Sequence, residues 1–330
     1  IVKEDRIIGV GYHQRCGQNH AEINAIENAT ESTAGSTLYV TLEPCCHFGK
    51  TPPCTDRIIQ NKIGRVVIGC ADSNPLVSCR GINQLRGAGI EVKAGVREGE
   101  CRNLNEVFFH FMEKGLPFVT VKYAQTLDGR IATTTGKSQW ISSPSSLKFA
   151  HQLRAQHDAI LVGIGTVLQD NPTLTVRNVR GRSPLRIVLD SRLDIPVDAN
   201  VMQNLSELPT LIVTTKPSSD PDFQKLTRAG ADVVTIDPDR RNHADLKKLL
   251  PLLAARTITS ILIEGGAEVI TSALRDNLVN RLVAIIAPKI IGKGIEAIGD
   301  LNIRDLENAK LLSVRHVLKK GADIIIDGRL

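Results

Sequence analysis

Four residues between His20 and Cys54 set the strictest condition on how this 330-residue chain can fold. His20-Ala21-Glu22 puts an imidazole and a carboxylate two positions apart, and Glu43-Pro44-Cys45 and Cys54 supply two thiols. Zinc prefers four tetrahedral nitrogen and sulfur ligands, and a catalytic zinc leaves one of them to water. His20, Cys45 and Cys54 would fill the other three. Bound zinc brings the pKa of its water toward ~7. Glu22 is then placed to take that water's proton and pass it to a departing ammonia, the chemistry of zinc-dependent deamination. A fold that uses this set must bring positions 20, 45 and 54 to one point.

The local patterns allow it. Residues 20–30 (HAEINAIENAT) carry Ala21, Ile23, Ala25, Ile26 and Ala29 with no Gly or Pro, and the spacing predicts a helix. Residues 37–42 (TLYVTL) are rich in β-branched side chains and predict a strand that Pro44 ends. Residues 54–59 predict a second helix behind Pro52 and Pro53. A cysteine at a helix start has its thiolate favoured by the helix dipole. A lone His-x-Glu is usually a solvated helix face, and two nearby cysteines are often plain core residues. The whole set, in order and at element ends, is much rarer, and zinc is the expectation.

Charge narrows the substrate class. The net charge is +6, yet residues 1–114 hold thirteen basic and thirteen acidic side chains, so the whole excess lies beyond them. A deaminase acting on nucleic acid should surround its metal with cations. Aromatics make up only 3%, which leaves few stacking platforms for bases. No apolar run approaches the ~20 residues of a membrane span. Seven cysteines show no disulfide-scaffold pattern; Cys16, Cys70, Cys79 and Cys101 read as reduced small hydrophobes, which implies a cytoplasmic protein.

The length suits two cores. Strands are expected at 7–10, 37–42, 65–69 and 90–94, with a closing helix over 98–114, in a three-layer α/β arrangement. Gly115-Leu116-Pro117 marks a boundary, since Gly ends a helix and Pro cannot continue it. A second α/β domain, 115–330, is expected to open with a strand at 118–124. Further strands are expected at 159–162, 185–189, 211–214, 233–236, 260–263 and 282–286, then a hairpin of 315–318 and 322–326.

Many deaminases carry Pro-Cys-x-x-Cys. Here PCCHFGKTPPC separates Cys45 from Cys54 by eight residues. That insert, with Gly11-Tyr12-His13-Gln14-Arg15 and HAE, resembles the bifunctional riboflavin-biosynthesis deaminase/reductase family. The resemblance implies a cytidine-deaminase-like first domain. It leaves Cys46 and His47 out of the metal shell and makes His47, Lys50 and Thr51 candidates for substrate contact. It also implies a helix and a Pro-Asn-Pro-x-Val-Gly segment ahead of Ile1, whose Asn helps hold the pyrimidine, so an N-terminally truncated deaminase is expected.

The second half continues the match in KYAQTLDGRIA, GKSQWISSP, LRAQHDAILVGIGTVLQDNPTLTVR, RIVLDS and ILIEGGAEVITSAL. The resemblance implies a dihydrofolate-reductase-like domain using NADPH. The cofactor is expected at Ala124, Trp140, Thr166, Asp170, Ser191, Gly266, Ala267, Glu268, Val269, Ile270, Thr271 and Ser272. The substrate is expected at Ser138, Arg154, Leu174, Arg177 and Glu264. The residues support part of this directly. Glu264-Gly265-Gly266 between an apolar strand and a helix is a turn that aims N–H groups at an anion. Arg154 and Arg177 suit a phosphate through bidentate donors. Lys122, on a largely apolar strand, is a candidate for proton movement.

The expected activity is deamination of a diamino-ribosylamino-pyrimidinone 5′-phosphate, then NADPH reduction of its ribosyl group. The alternatives are a reductase with a structural deaminase remnant and a nucleic-acid-editing deaminase. The resemblance implies a homo-oligomer; the charge pattern implies no nucleic-acid partner and the hydropathy none in the membrane.

Overall fold

A computed structural model describes residues 1–15, 17–74 and 77–330; Cys16, expected as a small hydrophobe, lies outside them. The chain packs as two units, Ile1–Lys114 and Gly115–Leu330. Among the described residues no helix is long and apolar enough to cross a membrane.

The first unit runs β1 (Val2–Lys3), β2 (Arg6–Ile7), α1 (Ala21–Glu27), β3 (Thr37–Leu42), α2 (Cys54–Gln60), β4 (Arg65–Cys70), α3 (Arg80–Gly87), β5 (Glu91–Ala94), α4 (Glu98–Leu104) and α5 (Glu106–Lys114). Its sheet order is β2-β1-β3-β4-β5, with β3, β4 and β5 parallel. Ala25, Ile26, Ile58, Ile82 and Leu85 from three helices share one core with Leu38, Val66 and Ile68. Alternate residues of a strand face opposite ways. On the other face of β4 a Cβ at Gly69 would meet Cys101 Sγ at 2.2 Å, so α4 needs glycine there. Helices therefore cover both faces of the sheet.

Three expectations change. The strand foreseen at 7–10 ends at Ile7. Beyond it the chain lies on α1, where a Cβ at Gly9 or Gly11 would run into helix backbone at 2.3 or 2.2 Å. Asn28 and Asn24 Nδ2 donate to Val10 O and Tyr12 O, replacing a ladder partner. The helix foreseen over 98–114 breaks at Asn105, whose Nδ2 donates back to Cys101 O at 3.0 Å. Cys79 is exposed, with left-handed φ (59°), rather than packed as a small hydrophobe.

The second unit contains β6 (Phe118–Thr126), β7 (Arg130–Thr133), α6 (Pro144–Gln156), β8 (Ala159–Gly163), α7 (Ile164–Asp170), β9 (Leu185–Leu189), β10 (Thr210–Thr214), α8 (Pro221–Arg228), β11 (Asp232–Thr235), α9 (Leu246–Ala255), β12 (Ser260–Glu264), α10 (Ala267–Arg275), β13 (Arg281–Ala287), β14 (Gly294–Glu296), β15 (Ser313–Lys320) and β16 (Asp323–Arg329). The main sheet order is β11-β10-β9-β8-β12-β6-β13-β16-β15, parallel from β11 to β13. β16 and β15 are antiparallel, a longer hairpin than foreseen. The central strands are continuous apolar runs because helices bury both faces. The short antiparallel pair β7–β14 was not foreseen.

Strand order explains where a ligand can enter. The chain leaves β6, builds β8 to β11 outward, then returns to insert β12 between β8 and β6. Crevices open at the carboxyl ends of parallel strands where the order reverses.

Candidate active sites

In the first unit His20 caps α1 in extended conformation, Cys45 follows β3, and Cys54 is the first residue of α2. These three ends converge. His20 Nδ1 lies 3.5 Å from Cys45 Sγ and 3.3 Å from Cys54 Sγ, and the three donor atoms all lie within 4.8 Å of one another. Tetrahedral zinc with its usual Zn–S and Zn–N bonds needs donors about 3.6 Å apart, so the set fits zinc. Thr51 Oγ1 sits 3.4 Å from His20 Nε2, the nitrogen left over.

The electrostatics favour a cation. The Cys54 thiol hydrogen-bonds to Cys45 and, with His20, holds Cys45 down to about 4. Beside that thiolate Cys54 keeps its proton. A metal ion would replace this shared proton. Glu22 is buried as the second residue of α1, and burial raises its carboxyl above the ordinary range. A carboxyl poised higher than usual is suited to exchanging protons near neutral pH. Cys46 and His47 are not part of the donor triangle. His47 Nδ1 is buried without a hydrogen-bond partner.

Sequence reasoning missed Glu43. Its buried carboxylate accepts N–H bonds from Asp72, Cys79 and Ile82 at 3.1, 3.0 and 3.1 Å. It ties the strand end before Cys45 to the start of α3. Nothing local in the sequence announces this, because its partners lie 29 to 39 residues away.

In the second unit a cavity of about 920 Å³ opens at the strand reversal. It gathers Ala124, Thr166, Asp170, Ser191, Gly266–Ile270 and Ser272 of the expected cofactor set. From the expected substrate set it takes Ser138, Arg154, Leu174 and Glu264. Ser138 Oγ donates to Asp170 Oδ1 at 3.2 Å, joining the two sets. Three residues do not line it. Trp140 is 65% exposed, with its carbonyl held by Lys289 Nζ. Thr271 is buried, donating to Ala267 O and accepting from Gly299 N. Arg177 is exposed and its guanidinium donates to Thr173 Oγ1.

Gly265 and Gly266 both have φ of +78°, and a Cβ on Gly266 would stand 3.3 Å from Thr166 Oγ1. Bare backbone therefore faces the cavity at the start of α10, a cradle that fits a dinucleotide pyrophosphate. Beside it Arg154 grips Glu264 with two bonds of 2.8 Å, and Lys122 Nζ is 3.8 Å from Glu264 Oε2. Burial pushes the Glu264 carboxyl up, but Arg154 and Lys122 outweigh it and hold it near 2. Burial lowers the Lys122 ammonium, against the pull of Glu264. Arg154 also donates to Thr175 O at 3.1 Å, so it is more fully engaged than the sequence suggested.

Comparison with known proteins finds relatives of both units. Residues 1–70 match the cytidine and deoxycytidylate deaminase zinc-binding region, and residues 117–325 match the RibD C-terminal domain. The chain is 46% identical over 327 residues to the riboflavin biosynthesis protein RibD of Aquifex aeolicus, covering 99% of this chain and 89% of that one. The chain belongs to the RibD family. RibD of Escherichia coli is 37% identical over 343 residues, with 99% and 90% coverage. The solved RibD of Acinetobacter baumannii superposes with a TM-score of 0.88 at 32% identity, covering 99% of this chain and 90% of that one. A diaminohydroxyphosphoribosylaminopyrimidine deaminase/5-amino-6-(5-phosphoribosylamino)uracil reductase of Thermotoga maritima gives 0.86 at 36%, with the same coverage. As in RibD, a zinc-dependent, cytidine-deaminase-like part is joined to a dihydrofolate-reductase-like reductase in one bifunctional enzyme of riboflavin biosynthesis.

Proposed function

We propose that residues 1–114 deaminate 2,5-diamino-6-ribosylamino-4(3H)-pyrimidinone 5′-phosphate, and that residues 115–330 then reduce its ribosyl group to ribityl with NADPH. The observation that carries the reading is the His20–Cys45–Cys54 donor triangle beside Glu22, whose carboxyl burial raises above the ordinary range. His20, Cys45 and Cys54 would hold the zinc, which when bound polarises a water and lowers its pKa. Glu22 receives the proton that water loses and delivers it to the leaving amine. The ring exchanges C–NH2 for C=O, and ammonia departs.

In the second pocket Gly265 and Gly266 hold the pyrophosphate and position the nicotinamide. When bound there, NADPH would supply the hydride for C1′ of the ring-opened sugar. Lys122, paired with Glu264 in the cavity wall, would supply the proton that accompanies the hydride. Ser138, Arg154, Leu174 and Glu264 would orient the substrate from the cavity wall and Ala124, Thr166, Asp170, Ser191, Gly266–Ile270 and Ser272 would serve the cofactor, with Trp140, Thr271 and Arg177 contributing from outside that wall. The protein is read as a cytoplasmic homo-oligomer without a nucleic-acid partner; the free cysteines and the balanced charge of the first 114 residues support compartment and partner class.

The experiment feeds purified protein the pyrimidine substrate with and without NADPH and identifies products by mass. The deaminated ribosyl compound should accumulate without NADPH, and the ribityl compound should appear with it. Release of ammonia only after reduction would refute the order.

A further inference from the structure

The second pocket contains two arginines that the reduction as described leaves without a task. Arg192 follows β9 and Arg241 follows β11, and both line the cavity. We propose that they grip the 2′-phosphate of the cofactor and so make the pocket choose NADPH over NADH; this rests on reading the pocket as a dinucleotide site.

Placement comes from the sheet. The Gly265–Gly266 turn follows β12, and Lys122, Arg154 and Glu264 gather at the ends of β6 and β12 or beside them. That side is the reacting end, where substrate and nicotinamide must meet. The adenosine half then extends the other way, over β8 toward β9. Neighbouring strands lie ~4.8 Å apart, so Ser191 and Arg192 stand ~10 Å from the glycine turn, a span of nucleoside size. The two loops are one assembly. Ser191 Oγ accepts the Ala244 N–H at 2.9 Å, and Asp239 Oδ1 accepts N–H from Arg241 and His243 at 2.8 and 2.9 Å.

Chemistry separates phosphate from hydroxyl. A dinucleotide site for NADH commonly offers a carboxylate to the 2′-OH, whereas one for NADPH offers arginine to the 2′-phosphate. All three carboxylates at this end are already engaged: Asp190 accepts the N–H groups of Asp194 and Ile195 at 3.0 and 2.8 Å. Asp194 Oδ2 accepts from Arg192 Nε at 3.0 Å, and Asp239 caps its own loop. Arg192 keeps its two terminal nitrogens, and no bond within the described residues occupies the Arg241 guanidinium. The Arg192 side chain is 80% exposed, so meeting a phosphate breaks no buried contact.

The test measures kcat/KM for NADPH and NADH in the full chain with deaminated pyrimidine as co-substrate. Wild type, Arg192→Gln, Arg241→Gln and the double variant are compared. Each single change should lower the NADPH:NADH ratio about 10- to 100-fold, and the double change further, as expected for charge-assisted bonds. Calorimetry with 2′,5′-ADP and 5′-AMP reads the same subsite without turnover: 2′,5′-ADP should weaken in each variant and 5′-AMP far less. An unchanged ratio in the double variant overturns the assignment and leaves the pocket a dinucleotide site. A wild-type protein that binds neither NADPH nor 2′,5′-ADP overturns the dinucleotide reading itself.

Discussion

The two sites are built on opposite principles. The metal centre is small and assembled from element ends: a helix cap, a strand exit and a helix start, with donors within 4.8 Å. The reductase pocket is large, about 920 Å³, and draws on the ends of parallel strands and the loops beyond them. The first concentrates its chemistry in three ligands and one carboxyl. The second spreads it over many contacts of modest individual value. A small site should fail completely when one ligand is lost, while a distributed one should fail by degrees.

The sharpest way to break that contrast is Cys54→Ala. Two donors cannot hold zinc as three do, so metal content and ammonia release should both disappear while reduction of deaminated substrate continues. Metal analysis showing full zinc occupancy would sink the ligand assignment. Glu22→Gln should keep the zinc and lower deamination by about 10²- to 10⁴-fold, since the amide retains the shape but carries no exchangeable proton of the right pKa. If reduction fell in parallel, the two sites would not be separate.

In the reductase unit the two arginines foreseen as phosphate ligands now differ: Arg154 lines the cavity and Arg177 does not. Arg154→Ala leaves Glu264 buried without its main partner and should destabilise the second unit by about 3–5 kcal/mol, read from denaturant midpoints. Arg177→Ala removes an exposed side chain. It should change stability by no more than about 0.5 kcal/mol while raising the substrate KM roughly tenfold. Equal stability losses would show that Arg154 is no more structural than Arg177.

The smallest effect is in pH. His157 is buried, donating Nδ1–H to Leu153 O and accepting from Thr120 Oγ1 at Nε2, so the fold holds it neutral. Burial lowers its pKa below the ordinary 6.5. Its contribution is present above about 6.5 and is lost as pH falls through the lower folded value. The Glu264 contribution persists until pH drops below 4.5 toward 2. A His157→Gln variant should therefore show a flatter denaturant midpoint between pH 7 and 5 than wild type. An identical slope would remove His157 as the cause.

What the sequence by itself determined is whatever depends on short-range order. Strand 37–42 appears at the foreseen residues and a helix follows the Gly265–Gly266 turn as foreseen, because β-branched runs and the Gly-Gly stop act within a few positions. The convergence of His20, Cys45 and Cys54 was legible because metal chemistry restricts residue types and each lies at an element end. Tertiary structure alone decided the rest. Arg154 meets Glu264 across 110 residues, and Glu43 finds its N–H partners up to 39 residues away. Gly9 and Gly11 turn a would-be strand into a segment pressed on α1, since only a missing Cβ allows that approach. Nothing local marks Arg192 or Arg241, which only the assembled sheet brings to one cavity, from the loops after β9 and β11. Pairing across a sheet is fixed by the packing of whole strands, and no local pattern of residue types records it.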